Sequence, residues 1–192
     1  MVKVEKEVRD KQIIVRTGGI TMAKKLVVSF PGGRGTEIPL LYFTAKKYED
    51  LGYEKVFINH PLQWDETLDS LLENAEKVIQ CIDFQAYDEV IFVAKSIGTL
   101  VACKLKEKYD IHAKLILFTP LEGAWTYITQ NNDVLYVAGG EKDRYFDSME
   151  LMQLCEREMI NCYIEKNVGH RMEIMGDLRR NLGIISNVLE KL

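Results

Sequence analysis

The sequence lacks several features that would place it at once in a known class of protein. No apolar stretch in its 192 residues approaches the roughly 20 residues that a bilayer-spanning helix needs. Residues 1–7 are rich in charge, which is not the pattern of a secretion signal. The net charge of −4 is the opposite of the basic surface that binds nucleic acid. We therefore expect a cytoplasmic protein that spans no membrane and binds no nucleic acid.

Cysteine is sparse and scattered. The four cysteines (Cys81, Cys103, Cys155 and Cys162) have no C-x-x-C spacing, and in the absence of a secretion signal we interpret them as buried thiols. No grouping of His, Cys and Asp has the spacing of metal ligands, and the G-x-x-x-x-G-K-[ST] phosphate loop is absent. The sequence therefore predicts that the protein uses neither a metal nor a cofactor.

What the sequence does contain is a regular alternation of two patterns. Hydrophobic residues make up 47% and charged residues 28%, as in soluble globular proteins, and no repeat or linker divides the chain. Short, continuous apolar runs, rich in β-branched residues, are typical of strands that are covered on both faces, as in parallel sheets. The runs are LVVSF (26–30), VFI (56–58), VIFV (90–93), LILF (115–118), VLYV (134–137) and CYI (162–164).

Helical spacing of apolar residues fills the segments between these runs, for example over 68–82 and 178–192. This alternation predicts a single α/β domain over residues 1–192, with a mostly parallel central sheet and helices on both faces. Residues 1–20 are less regular, and we interpret them as an antiparallel hairpin at the sheet edge. In such a fold, ligands bind at the carboxyl ends of the strands, so the loops that leave the strands are where functional residues are expected.

The loop after the third run has the sequence Ala94-Lys95-Ser96-Ile97-Gly98 and leads into a helix. A serine between small residues at a strand-to-helix turn is the nucleophile-elbow pattern, although Ala94 stands where the usual motif has glycine. The alternative is that Ser96 only caps the helix, which serine often does. The pattern alone does not decide between these two roles.

A nucleophilic serine needs a general base, which is nearly always histidine. The chain has three histidines. His112 lies near a predicted helix end, where we expect it to face solvent, and His60 lies in a loop after an early strand. His170 follows the last strand and precedes the final helix, which is where the base of this type of fold is expected. His170 is therefore the predicted base, and the alternative is a solvent-facing loop histidine.

The acid that orients the base should lie between the serine and the histidine, after a strand. Asp143 fits, because it follows the VLYV run and two glycines that let the loop turn tightly. Glu141 and Asp147 are rivals, and Asp147 is also a candidate helix cap. The alternative role of Asp143 is an ordinary turn residue. Ser96, Asp143 and His170 follow three separate strands in the expected order.

A glycine-rich loop after the first run is suited to binding an oxyanion. Backbone N–H groups of Gly33 or Arg34, together with that of Ile97 after the serine, are the predicted donors. A strand followed by a glycine-rich loop also occurs in dinucleotide-binding proteins. Against that interpretation, Ile38 replaces the last glycine of G-x-G-x-x-G, and the next strand ends at Asn59 without the ribose-binding acid.

These motifs together resemble those of the α/β-hydrolase superfamily, specifically its small members without a cap domain. The resemblance covers roughly residues 24–192 and is carried by Gly32-Gly33, 94–98, 140–143 and Gly169-His170. It implies an α/β-hydrolase fold in which Ser96 attacks an acyl carbon, His170 removes its proton and Asp143 orients the histidine. A cap usually enters after the strand that follows the elbow helix, and residues 119–133 are too few to form one.

The function expected from this resemblance is that of a serine hydrolase, which cleaves a carboxylic ester or thioester of a small-molecule acyl substrate through an acyl-enzyme. Two alternatives remain open: an acyltransferase that uses the same three residues, and a non-catalytic binding protein on a hydrolase scaffold. We expect the substrate pocket to be lined by aromatic and cationic side chains, namely Arg34, Trp64, Lys95, Trp125 and Tyr127, of which Arg34 and Lys95 could attract an anionic substrate.

Overall fold

A computed structural model describes residues 4–9, 12–17, 23–33, 38–59 and 67–192. Six strands form one sheet, and every neighbouring pair in it is parallel. Their bounds are β3 (Lys25–Phe30), β4 (Glu54–Phe57), β5 (Glu89–Lys95), β6 (Lys114–Phe118), β7 (Val134–Gly140) and β8 (Cys162–Glu165). The strand order is β4-β3-β5-β6-β7-β8. The predicted glycine-rich loop follows β3, and the loops that carry Ser96, Asp143 and His170 follow β5, β7 and β8.

In the described ranges, five α-helices connect these strands or follow them, and they cover both faces of the sheet. One face packs against the first and last helices, and the other packs against the three between them. The bounds are α1 (Pro39–Asp50), α2 (Leu68–Ile79), α3 (Ile97–Lys108), α4 (Ser148–Arg157) and α5 (Leu178–Glu190). The predicted α/β architecture, with a parallel sheet between two helical layers, is confirmed.

The continuous apolar runs are explained by this double coverage. Along β5, Phe92 contributes to the core beneath α2, α3 and α4, whereas Ile91 and Val93 contribute to the core beneath α1 and α5. Successive side chains of a strand point to opposite faces, and here helices cover both faces of the sheet. The covered positions on both faces therefore favour apolar residues, which is why the runs show no polar alternation.

The N-terminal hairpin is present but is not an edge of the central sheet. β1 (Val4–Arg9) and β2 (Gln12–Thr17) pair antiparallel in a two-stranded sheet of their own. The predicted position at the sheet edge is therefore wrong. The sequence of β1, VEKEVR, is mostly charged, whereas each strand of the large sheet supplies apolar residues to a core.

Two further expectations concern individual segments. The connection between β6 and β7 holds only two short 3-10 helices, Glu122–Tyr127 and Gln130–Asn132, so no cap domain enters there. The prediction that the cysteines are buried thiols holds for Cys103 and Cys155, whereas Cys162 is only half-buried. It is wrong for Cys81, which lies exposed just after α2. No helix in the described parts of the chain has the length and apolar character needed to cross a bilayer.

Candidate active site

Ser96 lies on a tight turn between β5 and α3, at the N-cap position of the helix. Its backbone has φ 55° and ψ −128°, a combination that residues with a Cβ atom seldom adopt. Its side chain forms no capping hydrogen bond with the helix. The simple cap role considered from the sequence is therefore not what the structure contains, because the hydroxyl points elsewhere.

Small residues around the turn allow this geometry. A Cβ atom on Gly98 would lie 2.4 Å from the carbonyl oxygen of Pro31, so the helix start can approach the loop after β3 only with glycine there. A Cβ atom on Gly32 would lie 2.9 Å from the Cβ of Ser96. At the first motif position, Ala94 replaces glycine, and its methyl group is fully buried in the core. The departure from the usual motif is thus accommodated inside β5.

The three residues predicted from separate loops lie together in the structure. Ser96 Oγ is 2.6 Å from His170 Nε2, and His170 Nδ1 is 2.7 Å from Asp143 Oδ2. The Asp143 side chain is fully buried, whereas that of His170 is 18% exposed. The other carboxylate oxygen, Asp143 Oδ1, accepts a hydrogen bond from the backbone N–H of Tyr145 at 3.0 Å. Both oxygens are therefore held in place, and the histidine is fixed between a buried carboxylate and the serine hydroxyl.

The loops that carry the acid and the histidine are locked to each other by backbone contacts. The N–H of Lys142 donates to the carbonyl of Val168 at 2.8 Å. A Cβ atom on Gly140 would lie 2.2 Å from that same carbonyl oxygen, so only glycine permits this approach. The rival acid Asp147 instead caps α4, accepting from the N–H groups of Met149 and Glu150.

Lys95 connects the serine turn to the histidine loop. It is only 3% exposed, and its ammonium donates to the backbone carbonyl of His170 at 2.8 Å and to Thr119 Oγ1 at 3.0 Å. We predicted that Lys95 attracts substrate from the cleft wall. It does line the cleft, but its ammonium is bonded to the protein, because burial of a charged group requires such partners.

The serine and the histidine open into a cleft of about 880 Å³. Its walls include Ser96 together with Gly33 and Ile97, two of the predicted oxyanion donors. The N–H group of Ile97, at the first position of α3, has no partner within the helix. Two predicted cleft residues, Arg34 and Trp64, lie outside the described residues, as does the histidine His60. The remaining histidine, His112, is exposed after α3.

The two remaining aromatic residues that we predicted to line the pocket pack elsewhere. Trp125 lies against Phe146 in an edge-to-face arrangement, and its Nε1–H donates to the carbonyl of Pro120 at 3.3 Å. The Tyr127 hydroxyl donates to Glu107 at 2.9 Å. Both rings cover the core from the connection between β6 and β7, and neither belongs to the cleft wall. This segment must cover apolar surface, and its large aromatic residues do so.

Several cleft residues were not identified from the sequence. The ring of Tyr145 lies 4.6 Å from that of His170, at 66° between the planes, and the guanidinium of Arg144 lies over the Tyr145 ring at 4.8 Å. Arg171 and Leu121 also line the cleft. Arg144 and Arg171 directly follow the predicted acid and base in the chain, so adjacency in sequence was the signal that could have identified them.

Known structures resemble the whole chain. An α/β serine hydrolase homologue from Coxiella burnetii is 13% identical, with a TM-score of 0.64 over 99% of this chain and 97% of that one. The chain has the α/β-hydrolase fold. An α/β serine hydrolase without lid from Xanthomonas campestris is 13% identical, with a TM-score of 0.62 over 99% and 93% of the two chains. Est1E from Butyrivibrio proteoclasticus, in a structure with bound ferulic acid, is 12% identical with a TM-score of 0.61 over 99% and 96%.

These likenesses are in structure, not in sequence. No protein-family model and no curated protein sequence matches the chain. In the described parts of the chain, no group of three or more His, Cys, Asp or Glu side chains is arranged to hold a metal ion. The α/β-hydrolase fold, predicted from four short motifs, is thus supported by neighbours that cover nearly all of the chain.

Proposed function

We propose that this protein is a serine hydrolase that cleaves a carboxylic ester or thioester through an acyl-enzyme on Ser96. The observation that carries the proposal is a chain of hydrogen bonds from Ser96 through His170 to the buried Asp143. Ser96 and His170 line an open cleft, so the serine end of this chain is accessible to a substrate. A serine that served only to cap α3 would not need a strained backbone or a histidine at 2.6 Å.

In the proposed mechanism, the histidine acts first as a base. Its Nδ1–H donates to Asp143 Oδ2, which leaves Nε2 as the acceptor for the Ser96 hydroxyl proton. As Oγ bonds to the acyl carbon, the proton moves to Nε2, and the buried carboxylate stabilises the imidazolium that forms. The proton then passes to the alcohol or thiol that leaves, and Ser96 keeps the acyl group.

The negative charge that develops on the acyl oxygen needs donors on the opposite side of the serine. We assign this role to the N–H group of Ile97 and to that of Gly33 or Arg34, in keeping with the position of Gly33 and Ile97 on the cleft wall. The start of α3 adds a favourable helix dipole at this point. Water, activated by His170 in the same way, then releases the acid and restores the serine.

Labelling with a fluorophosphonate probe, read by intact mass, tests the proposal directly. We expect a single adduct on the wild-type protein and none on Ser96→Ala. Ser186→Ala, which removes an exposed serine from α5, is the matched control and should label like wild type. A folded wild-type protein that takes no label, or a Ser96→Ala variant that still does, contradicts the proposal.

The roles of the base and the acid are tested by ester hydrolysis. His170→Ala should abolish most of the turnover, whereas His112→Ala, at an exposed position after α3, should retain it. Asp143→Asn should lower kcat by about 10⁴-fold, as expected when the histidine is held in the wrong tautomer. Equal turnover by His170→Ala and His112→Ala means that the base is assigned incorrectly.

A further inference from the structure

The described wall of the cleft beside Ser96 carries more positive than negative side chains. Among the described residues that line it, four are cationic, namely Lys95, Lys142, Arg144 and Arg171, and one, Glu173, is a carboxylate. When the buried carboxylate of Asp143, hydrogen-bonded to His170, is counted as well, the described residues of the site still hold four positive charges against two negative ones. The chain as a whole has the opposite sign, with a net charge of −4. The positive charge is therefore local to the cleft.

Three of these cations, Lys142, Arg144 and Arg171, are exposed, and in the described ranges none of them forms an ion pair. Elsewhere the structure pairs lysines with carboxylates, as in Lys46 with Asp50 at 2.8 Å and Lys114 with Glu89 at 2.7 Å. The three cleft cations thus lack the internal carboxylate partners that several other basic side chains have.

Two of these cations are arginines of the loops that carry the predicted acid and base. Arg144 directly follows Asp143, and Arg171 directly follows His170, so both are anchored by loops that the site itself holds in place. A guanidinium can donate two parallel hydrogen bonds to a carboxylate or phosphate. Charges of one sign that line a concave surface also concentrate the potential there and raise the local concentration of an oppositely charged substrate.

We infer that the substrate of this site is an ester or thioester that carries a second anionic group, a carboxylate or a phosphate, away from the scissile bond. This inference rests on the proposed function. Hydrolysis consumes one water molecule and breaks the acyl C–O or C–S bond, and the second anionic group is unchanged. Its role is to bind Lys142 and Arg171 and so to position the acyl carbon at Ser96.

Two pairs of small esters test the inference and distinguish the two sources of charge. In the first pair, 4-nitrophenyl hydrogen glutarate carries a carboxylate on the acyl side, and 4-nitrophenyl pentanoate is its neutral counterpart. In the second, 2-phosphoethyl acetate carries a phosphate on the alcohol side, and 2-methoxyethyl acetate is neutral. For each pair, the kcat/KM of the anionic ester is divided by that of its neutral counterpart. The result is divided by the same ratio of the rates of alkaline hydrolysis without enzyme, which gives the normalised ratio.

We expect this normalised ratio to exceed one in at least one pair and to fall as salt is added, because exposed charges are screened. Lys142→Gln and Arg171→Gln should each lower it by about 1.5- to 5-fold, the range typical of an exposed ion pair. Lys24→Gln is the charge-matched control, because Lys24 is exposed and precedes β3, at the opposite end of the strands from the cleft. Its ratio should equal that of the wild type.

Two results would overturn the inference while leaving the proposed function intact, provided that Ser96 still takes the fluorophosphonate label. One is a normalised ratio at or below one in both pairs. The other is a ratio that the Lys142→Gln, Arg171→Gln double variant leaves at the wild-type value. A folded wild-type protein that neither labels nor hydrolyses any of the four esters overturns both the inference and the proposed function.

Discussion

The backbone of Ser96 offers a test of the site that does not depend on any substrate. At φ 55° and ψ −128°, a residue with a Cβ atom is strained, whereas glycine is not. Ser96→Ala and Ser96→Gly both remove the hydroxyl and its 2.6 Å hydrogen bond to His170. The difference in stability between the two variants therefore reports on the backbone alone.

The expected magnitude follows from two opposing terms. Release of the strain should favour the glycine variant by about 1–3 kcal/mol. The greater freedom of glycine in the unfolded chain should disfavour it by about 0.4–1 kcal/mol. The net expectation is that Ser96→Gly is more stable than Ser96→Ala by about 1 kcal/mol, which in a domain of this size is about 2–4 °C in Tm.

Urea denaturation followed by far-UV circular dichroism measures this difference. The same two substitutions at Ser186, an exposed position within α5, provide the control. There the backbone is helical, and glycine should be less stable than alanine by about 1 kcal/mol. The sign of the difference should therefore reverse between the two positions.

The reasoning is refuted if Ser96→Ala is as stable as Ser96→Gly or more so, while Ser186 behaves as expected. That result means that the turn holds no strain, and the N-cap interpretation of Ser96 would regain support. A reversal of sign shows that the fold sustains a serine conformation that costs it stability.

Three further predictions concern other parts of the chain. Gly140→Ala should destabilise the protein by about 1–3 kcal/mol in urea unfolding, because its Cβ meets a backbone oxygen of the loop before the histidine; an unchanged midpoint would contradict the observed packing. The Lys114 ammonium lowers the pKa of the Glu89 carboxyl. The stability that this pair contributes is therefore present above the ordinary pKa of 4.5 and is lost as the pH falls through the lowered pKa. Glu89→Gln should flatten this decline when the free energy of unfolding is measured against pH in acid. Burial raises the pKa of the Cys103 thiol to about 12. Iodoacetamide should therefore modify the exposed Cys81 in the native protein and reach Cys103 only after unfolding. Equal rates of modification of Cys81 and Cys103 in the native protein, measured by peptide mass mapping, would refute this.

The sequence predicted most of the fold because the signals of a parallel sheet are local. Each apolar run between helical segments corresponds to a strand of the six-stranded sheet, and the strand bounds differ from the predicted ones by only a few residues. The N-terminal hairpin shows where local signals stop. The sequence predicted a hairpin within residues 1–20, and 4–9 does pair with 12–17, but local patterns do not specify which sheet the pair joins.

The site divides in the same way. Ser96, Asp143 and His170 could be proposed from the sequence because each follows a strand, and parallel strands end at one edge of the sheet. The roles of Trp125 and Lys95 could not, because burial and hydrogen-bond partners depend on the packing of distant segments. Trp125 packs against Phe146, and the ammonium of Lys95 donates to the His170 carbonyl, 75 residues away.

The amino-acid sequence by itself therefore determined the layers of this protein, the order of its motifs and the three residues most suited to acyl chemistry, since each depends on periodicity or on position after a strand. Only the tertiary structure decided that the serine hydroxyl meets the histidine instead of capping α3. It also decided that Lys142, Arg144 and Arg171, which form no ion pair within the described ranges, line the same cleft. Those properties arise from side chains that loops of separate strands bring together, and a pattern along the chain does not contain their distances.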